Sequence, residues 1–237
     1  MNGMKKFLPL VVACVLLLSS TQAQYETPRD YSPFETRYFW GGAMLRDFAP
    51  RAGYTGSDSL AIRFNTWMPM IGFHQGSLDV QFGYTRFSLK DGMRTAIFFC
   101  TTLANDLPLV KEGPAVLMLP VLLSVDYTKA ESPGAERDHF NVASAGLGTG
   151  LRLRLISPGT ELTAHAAALY HFSFEGFNTG NGSSLALTAE ASLLLRTLHI
   201  GDGIVLGYRF RHQNWSLGEG RLNYRVTTHG PYIGVLL

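Results

Sequence analysis

Between Leu185 and Leu195 every odd position is apolar: Leu185, Leu187, Ala189, Ala191, Leu193 and Leu195. The intervening residues are Ala186, Thr188, Glu190, Ser192 and Leu194, and Arg196 follows. A β-strand sends alternate side chains to opposite faces, so this segment has one greasy face and one mostly polar face. The same code runs through five consecutive segments in the second half of the chain, approximately 139–156, 160–174, 184–198, 203–213 and 221–236. A chain written this way is committed to a sheet with two chemically different sides.

The first half adds less regular candidates at about 37–46, 59–73, 77–89, 94–104 and 115–128, which makes ten strands. Eight is the alternative count, because 94–128 is broken by Asn105-Asp106-Leu107-Pro108 and by Gly113-Pro114, and Pro120 sits where a paired strand tolerates it poorly. Connections alternate between tight and long. His74-Gln75-Gly76, Ser157-Pro158-Gly159 and Gly201-Asp202-Gly203 are tight, whereas 47–58, 129–137 and 175–183 are long. Lys90-Asp91-Gly92 is short for its side, and 105–114 reads as a long connection on the tight side. The expected fold is all-β, a closed antiparallel up-and-down barrel.

Residues 1–23 read as an export signal. Lys5 and Lys6 precede an apolar run from Phe7 to Leu18, and Ser19 to Ala23 form a small-residue exit with cleavage after Ala23. A rival reading takes Val11-Val12-Ala13-Cys14 as a lipidation box. Residues 24–36, polar and holding Pro28 and Pro33, form a periplasmic tail, and 37–237 form the barrel. After the signal no run approaches the ~18 apolar residues of a membrane helix. A net charge of +2 leaves no nucleic-acid footprint. With Cys14 removed, Cys100 is the only cysteine, so no internal disulfide forms, and no Cys/His spacing suggests a metal. No cofactor is implied.

Alternation alone does not say which face is enclosed; a soluble lipocalin-like carrier would put its apolar residues inside. Three features favour lipid outside. The strands around 139–198 reach about 15 residues, ample for the 9–11 of a tilted membrane strand. Aromatics crowd strand ends, as in Tyr38-Phe39-Trp40, Tyr170, Phe172, Phe174, Tyr208, Phe210, Tyr224 and Tyr232, like interfacial girdles. The polar phase is too charged for an idle surface, and its many glycines, such as Gly146, Gly148 and Gly150, suit a crowded barrel interior.

That phase carries Arg152, Arg154, His165, Glu190, Arg196, Arg209, Arg211 and Arg225, with Glu161, His171, Glu175 and His229 beside them. Opposite charges on adjacent strands predict a paired network filling a narrow lumen, because enclosed charges persist only when paired. A plugged polar core is the leading reading, a conducting or ligand-binding lumen the second, and a catalytic lumen the third. Asp126 and Glu131, near Lys129, read as ordinary loop charges.

An export signal, about ten amphipathic strands in meander order and a strand running to the C-terminus resemble the bacterial outer-membrane β-barrel proteins over 37–237. In that family the last strand ends in an aromatic residue read by the assembly machinery; here Ile233, Val235 and Leu237 alternate correctly but Leu237 replaces the aromatic. The resemblance implies an outer-membrane location, with membrane lipid and the barrel assembly machinery as partners. Any extracellular ligand would meet loops 47–58, 129–137 and 175–183. Locally, Arg211-His212-Gln213-Asn214-Trp215-Ser216 resembles the His-x-Ser-Asn signature of outer-membrane lipid A deacylases. His212 would be the base, but Asn214 stands at the serine position and cannot attack; Ser216 and Glu219 follow at a different spacing. An interfacial His and Trp is the favoured reading of that segment. The expected function is a small outer-membrane barrel with a largely occluded polar lumen and a structural or surface-interaction role. A narrow pore or ligand-binding barrel and a lipid-modifying hydrolase are the alternatives.

Overall fold

The computed structural model describes residues 36–55, 61–89, 92–131, 140–175, 182–196, 202–217 and 222–237. The signal and nearly all of the tail therefore lie outside the described residues, as do residues 56–58, 132–137 and 176–181 of the three long loops. Ten strands follow in order: β1 (Arg37–Pro50), β2 (Phe64–Gln75), β3 (Leu78–Leu89), β4 (Gly92–Glu112), β5 (Ala115–Ala130), β6 (Phe140–Ser157), β7 (Thr160–Glu175), β8 (Gly182–Leu195), β9 (Ile204–Ser216) and β10 (Tyr224–Leu236). Each pairs antiparallel with its sequence neighbour, and β1 pairs with β10 to close the barrel. At the seam Leu237 N–H donates to the Arg37 carbonyl at 2.9 Å.

The irregular stretch 94–128 is strand almost throughout. Residues 105–112, expected in a loop, continue β4, which turns at Gly113-Pro114 into β5. Gly113 takes φ +55°, which the turn requires and a side chain resists. A register shift between Pro108 and Val110 absorbs the proline as a bulge. Pro120 sits inside β5, where the pairing with β6 skips from Met118↔Arg152 to Val121↔Thr149. The Thr149 hydroxyl donates to the Pro120 carbonyl at 2.9 Å across the gap. One missing N–H costs a local ladder bond, which a side chain supplements; it does not cost the strand.

Side chains alternate in and out as the pleat demands. Leu147 (65% exposed), Phe172 (64%) and Ile71 (63%) look outward, while Phe48, Met68, Trp215 and Asp126 are at 0%. Four of the ten aromatics assigned to a girdle belong to the interior. Phe39, Tyr170, Phe172, Tyr208 and Phe210 face out, but Tyr38, Trp40, Tyr224 and Tyr232 are buried inside the wall. The parity of Tyr38-Phe39-Trp40 requires this split.

The code also inverts along the barrel. Through the middle of the strands the outside is apolar and the inside polar. At the long-loop end the inside becomes apolar, with Phe48, Phe64, Phe87, Phe140, Trp215 and Tyr224. There the alternate, outward positions are Asp47, Asn65, Arg86, Asn214 and Arg225. On β6, Gly146, Gly148 and Gly150 face inward, and a Cβ at any of them would run into backbone of β7. These glycines let the two strands bend closely together around the lumen.

Candidate functional site

The lumen is built in tiers along β9, whose inward residues are Val205, Gly207, Arg209, Arg211, Gln213 and Trp215. At the long-loop end an aromatic cap closes it. Phe48 stacks on Phe64 at 5.3 Å and on Tyr224 at 5.0 Å, and meets Phe140 edge-on at 5.0 Å. Phe64 stacks on Phe87 at 4.2 Å, and Phe140 meets Trp215 at 5.1 Å. Such contacts add about 0.5–1.5 kcal/mol each beyond burial.

Beneath the cap lies Asp126. Arg211 Nη2 donates to its Oδ2 at 2.7 Å, Gln213 Nε2 donates at 3.2 Å, and His171 Nε2 lies 3.5 Å away. Arg46 is buried here with hydroxyls as partners: Thr228 at 3.3 Å and Thr128 at 3.4 Å, with Phe98 beneath its guanidinium at 4.9 Å. Cys100 is buried against the same tier, its sulfur 3.4 Å from Arg211 Nη1.

The next tier centres on Arg209. Its guanidinium lies 4.4 Å from the Trp40 ring and 4.9 Å from the Tyr232 ring. It donates to Asp79 at 2.7 and 3.2 Å, and its Nε lies 2.8 Å from Glu190 Oε2. Tyr232 donates its hydroxyl to Glu190, and Gln81 donates to Asp79 at 2.6 Å. Two carboxylates and two rings therefore enclose one cation. His165 faces inward opposite Arg152 on β6 and Glu190 on β8. Towards the tight-turn end Arg152 pairs with Asp106, and Arg154 donates to Glu161 at 2.7 Å.

Arg152, Arg154, His165, Glu190, Arg209 and Arg211 thus line one lumen. Two residues assigned to it do not. Arg225 is exposed on the outer face of β10, because the polarity code has inverted at that height and Tyr224 and Val226 take the inside. Arg196 follows the end of β8 and is exposed at the tight-turn mouth. His229 also faces outward, 2.6 Å from the Tyr208 hydroxyl. Asp126, read from the sequence as a loop charge, is the fully buried centre of a tier. Asp79, Asp106, Arg46 and Gln213 were not singled out either. Their shared signal was parity: Asp79 alternates with Gln81, and Asp126 with Ser124 and Thr128.

His212 faces outward on β9. Its Nδ1 is 2.9 Å from the Thr227 hydroxyl and its Nε2 is 3.1 Å from Asn214 Nδ2. Both ring nitrogens are engaged, and neither partner is a serine. Glu219 lies outside the described residues. Among the described residues no three His, Cys, Asp or Glu side chains come together as a metal site.

No family model matches this chain, and no curated protein matches it. Solved structures of outer-membrane proteins are similar to it at low identity over most of its length. The outer-membrane protease OmpT of Escherichia coli is 8% identical, with 87% of this chain and 98% of that chain covered and a TM-score of 0.35. Neisserial surface protein A is 13% identical, covering 85% and 97%, with a TM-score of 0.30. OprG, an outer membrane protein of Pseudomonas aeruginosa, is 9% identical, covering 85% and 93%, with a TM-score of 0.33.

Proposed function

We propose that the protein is an integral outer-membrane β-barrel with an occluded lumen, serving as a rigid scaffold that presents its long loops outside the cell. The observation that carries this reading is the filling of the interior. A cluster of stacked rings fills one end and tiers of paired charges occupy the middle, which supports an occluded lumen. The exterior supports the membrane setting, since Leu147, Leu151, Leu187, Leu206 and Ile233 stand exposed at mid-strand. An enclosed polar core within an apolar wall is the opposite of a soluble lipophile carrier. The export signal read in residues 1–23 agrees with that destination. Membrane lipid and the barrel assembly machinery are its expected partners, and the long loops are where an extracellular ligand would dock.

Planar-bilayer recording of the purified protein tests the occlusion: the expected trace lacks steady channel steps, and steps of constant size would establish a narrow pore instead. Fractionation tests the setting. The protein should stay with outer membranes until detergent is added, and recovery in the aqueous fraction would make it a soluble carrier. The hydrolase reading predicts a loss of acyl mass from lipid A on incubation. An unchanged mass is expected, and a loss abolished by His212→Ala would overturn the scaffold assignment.

A further inference from the structure

Mid-strand residues looking outward are chiefly Leu, Ala, Val, Ile and aromatic, and towards the long-loop end they give way to polar ones around the wall. On β9 and β10 these polar residues adjoin one another. Here His212, Asn214 and Ser216 alternate along β9, and Arg225 and Thr227 lie beside them on β10. The register row through Arg225 continues to Asn214, then Leu185 on β8, then Tyr170 on β7. Within four adjacent strands the outer surface passes from a cation to an apolar side chain and an aromatic.

Tyr170, Leu185, His212, Asn214, Ser216 and Arg225 line one open depression of roughly 610 Å³, and Arg51 completes its rim. Arg51 is held there by the backbone. Its N–H donates to the Asn223 carbonyl at 3.0 Å, and Asn223 Nδ2 donates to the Gly53 carbonyl at 2.9 Å. The turn bearing Arg51 is thereby fastened to the start of β10, two residues before Arg225. Neither arginine meets a carboxylate among the described residues. Two guanidinium groups lining one depression beside a serine hydroxyl and an amide form a receptor for a tetrahedral oxyanion.

We propose that this depression binds the phosphorylated headgroup of an outer-leaflet glycolipid. Arg51 and Arg225 take the phosphate, Asn214 and Ser216 hydrogen-bond the adjoining sugar, and an acyl chain runs down over Leu185 and Leu187. The position selects a lipid over a free anion, because the cations sit where the outward surface changes from polar to apolar. The inference rests on the membrane setting proposed above, and a protein recovered in the aqueous fraction would remove both together.

The test uses the full barrel extracted in mild detergent and titrated with lipid A bearing its phosphates, with complexes counted by native mass spectrometry. Saturable one-to-one binding is expected. Removing the phosphates from the lipid should weaken it roughly tenfold or more, as should the double variant R51Q/R225Q. R86Q serves as the control, since Arg86 is an outward arginine on β3 already bonded to the Tyr84 hydroxyl; its affinity should match the parent's. A slower-migrating form after heating, retained in all variants, shows that each barrel has folded. Equal affinity for dephosphorylated lipid, or equal loss in R86Q, would overturn the proposal while leaving the scaffold reading intact. Equal competition by inorganic phosphate at the same concentration would also overturn it, because the site would then recognise the anion and not the lipid.

Discussion

Arg209 shows how much one enclosed cation demands. Asp79 and Glu190 neutralise it from two sides, and Trp40 and Tyr232 cover its faces. Removing one carboxylate leaves charge enclosed and undercompensated, which costs about 3–5 kcal/mol. Asp79→Ala should therefore lower the urea midpoint of the refolded barrel strongly. Arg46 should behave differently. Hydroxyls and a ring surround it, with no carboxylate in direct contact, and its Nε has no hydrogen-bond partner. Arg46→Met should fall within about 1.5 kcal/mol of the parent on either side, because the lost cation no longer carries its desolvation cost. A larger loss than in Asp79→Ala would show that Arg46 is integral to the Asp126 tier. Glu190 and Arg209 were legible from alternation alone. Asp126 was not, although it falls inside the candidate strand 115–128: grouped with Lys129 and Glu131 it looks like a loop charge, and only its parity with Ser124 and Thr128 marks it as inward.

At the level of the strands, the inward glycines of β6 set how closely it approaches β7. A methyl group at Gly146 would collide with the Tyr170 carbonyl and the His171 Cα, whereas one at Gly41, on the outer face of β1, has only the Met70 carbonyl near, at 3.9 Å. Gly146→Ala should cost about 1–3 kcal/mol through overpacking. Gly41→Ala should be neutral or slightly stabilising, since it only restricts the unfolded chain. Parallel urea titrations of the two variants make the comparison. The same scale explains why 105–112 was misread as a loop. Pro108, Asn105 and Asp106 carry turn chemistry, but a neighbouring strand supplies sixteen paired positions along β4 and outweighs it. Beyond Leu103, β4 no longer pairs with β3, and Pro108 with its bulge blunts that free edge against strand addition.

For the barrel as a whole, the fold was legible because period-two alternation fixes strand, face and closure together. The height at which the code inverts was not, because a sequence marks polarity but not depth. Arg225 was placed inside for that reason, and Tyr224 outside. The orientation has a direct test at Leu187, which looks outward from the middle of β8. Leu187→Arg should cost about 2–4 kcal/mol in a bilayer if that face meets hydrocarbon. On a wetted face the same change would shift stability by about 0.5 kcal/mol or less. Unfolding of the variant in lipid vesicles distinguishes the two.

The tiers also share a property that none has alone. Between the cap and the tight-turn mouth, the guanidinium groups of Arg46, Arg152, Arg154, Arg209 and Arg211 are matched in number by the carboxylates of Asp79, Asp106, Asp126, Glu161 and Glu190. An electric field along the barrel axis would pull the two sets in opposite directions with equal total force, so the packing as a unit feels no net force while each ion pair is drawn along the axis.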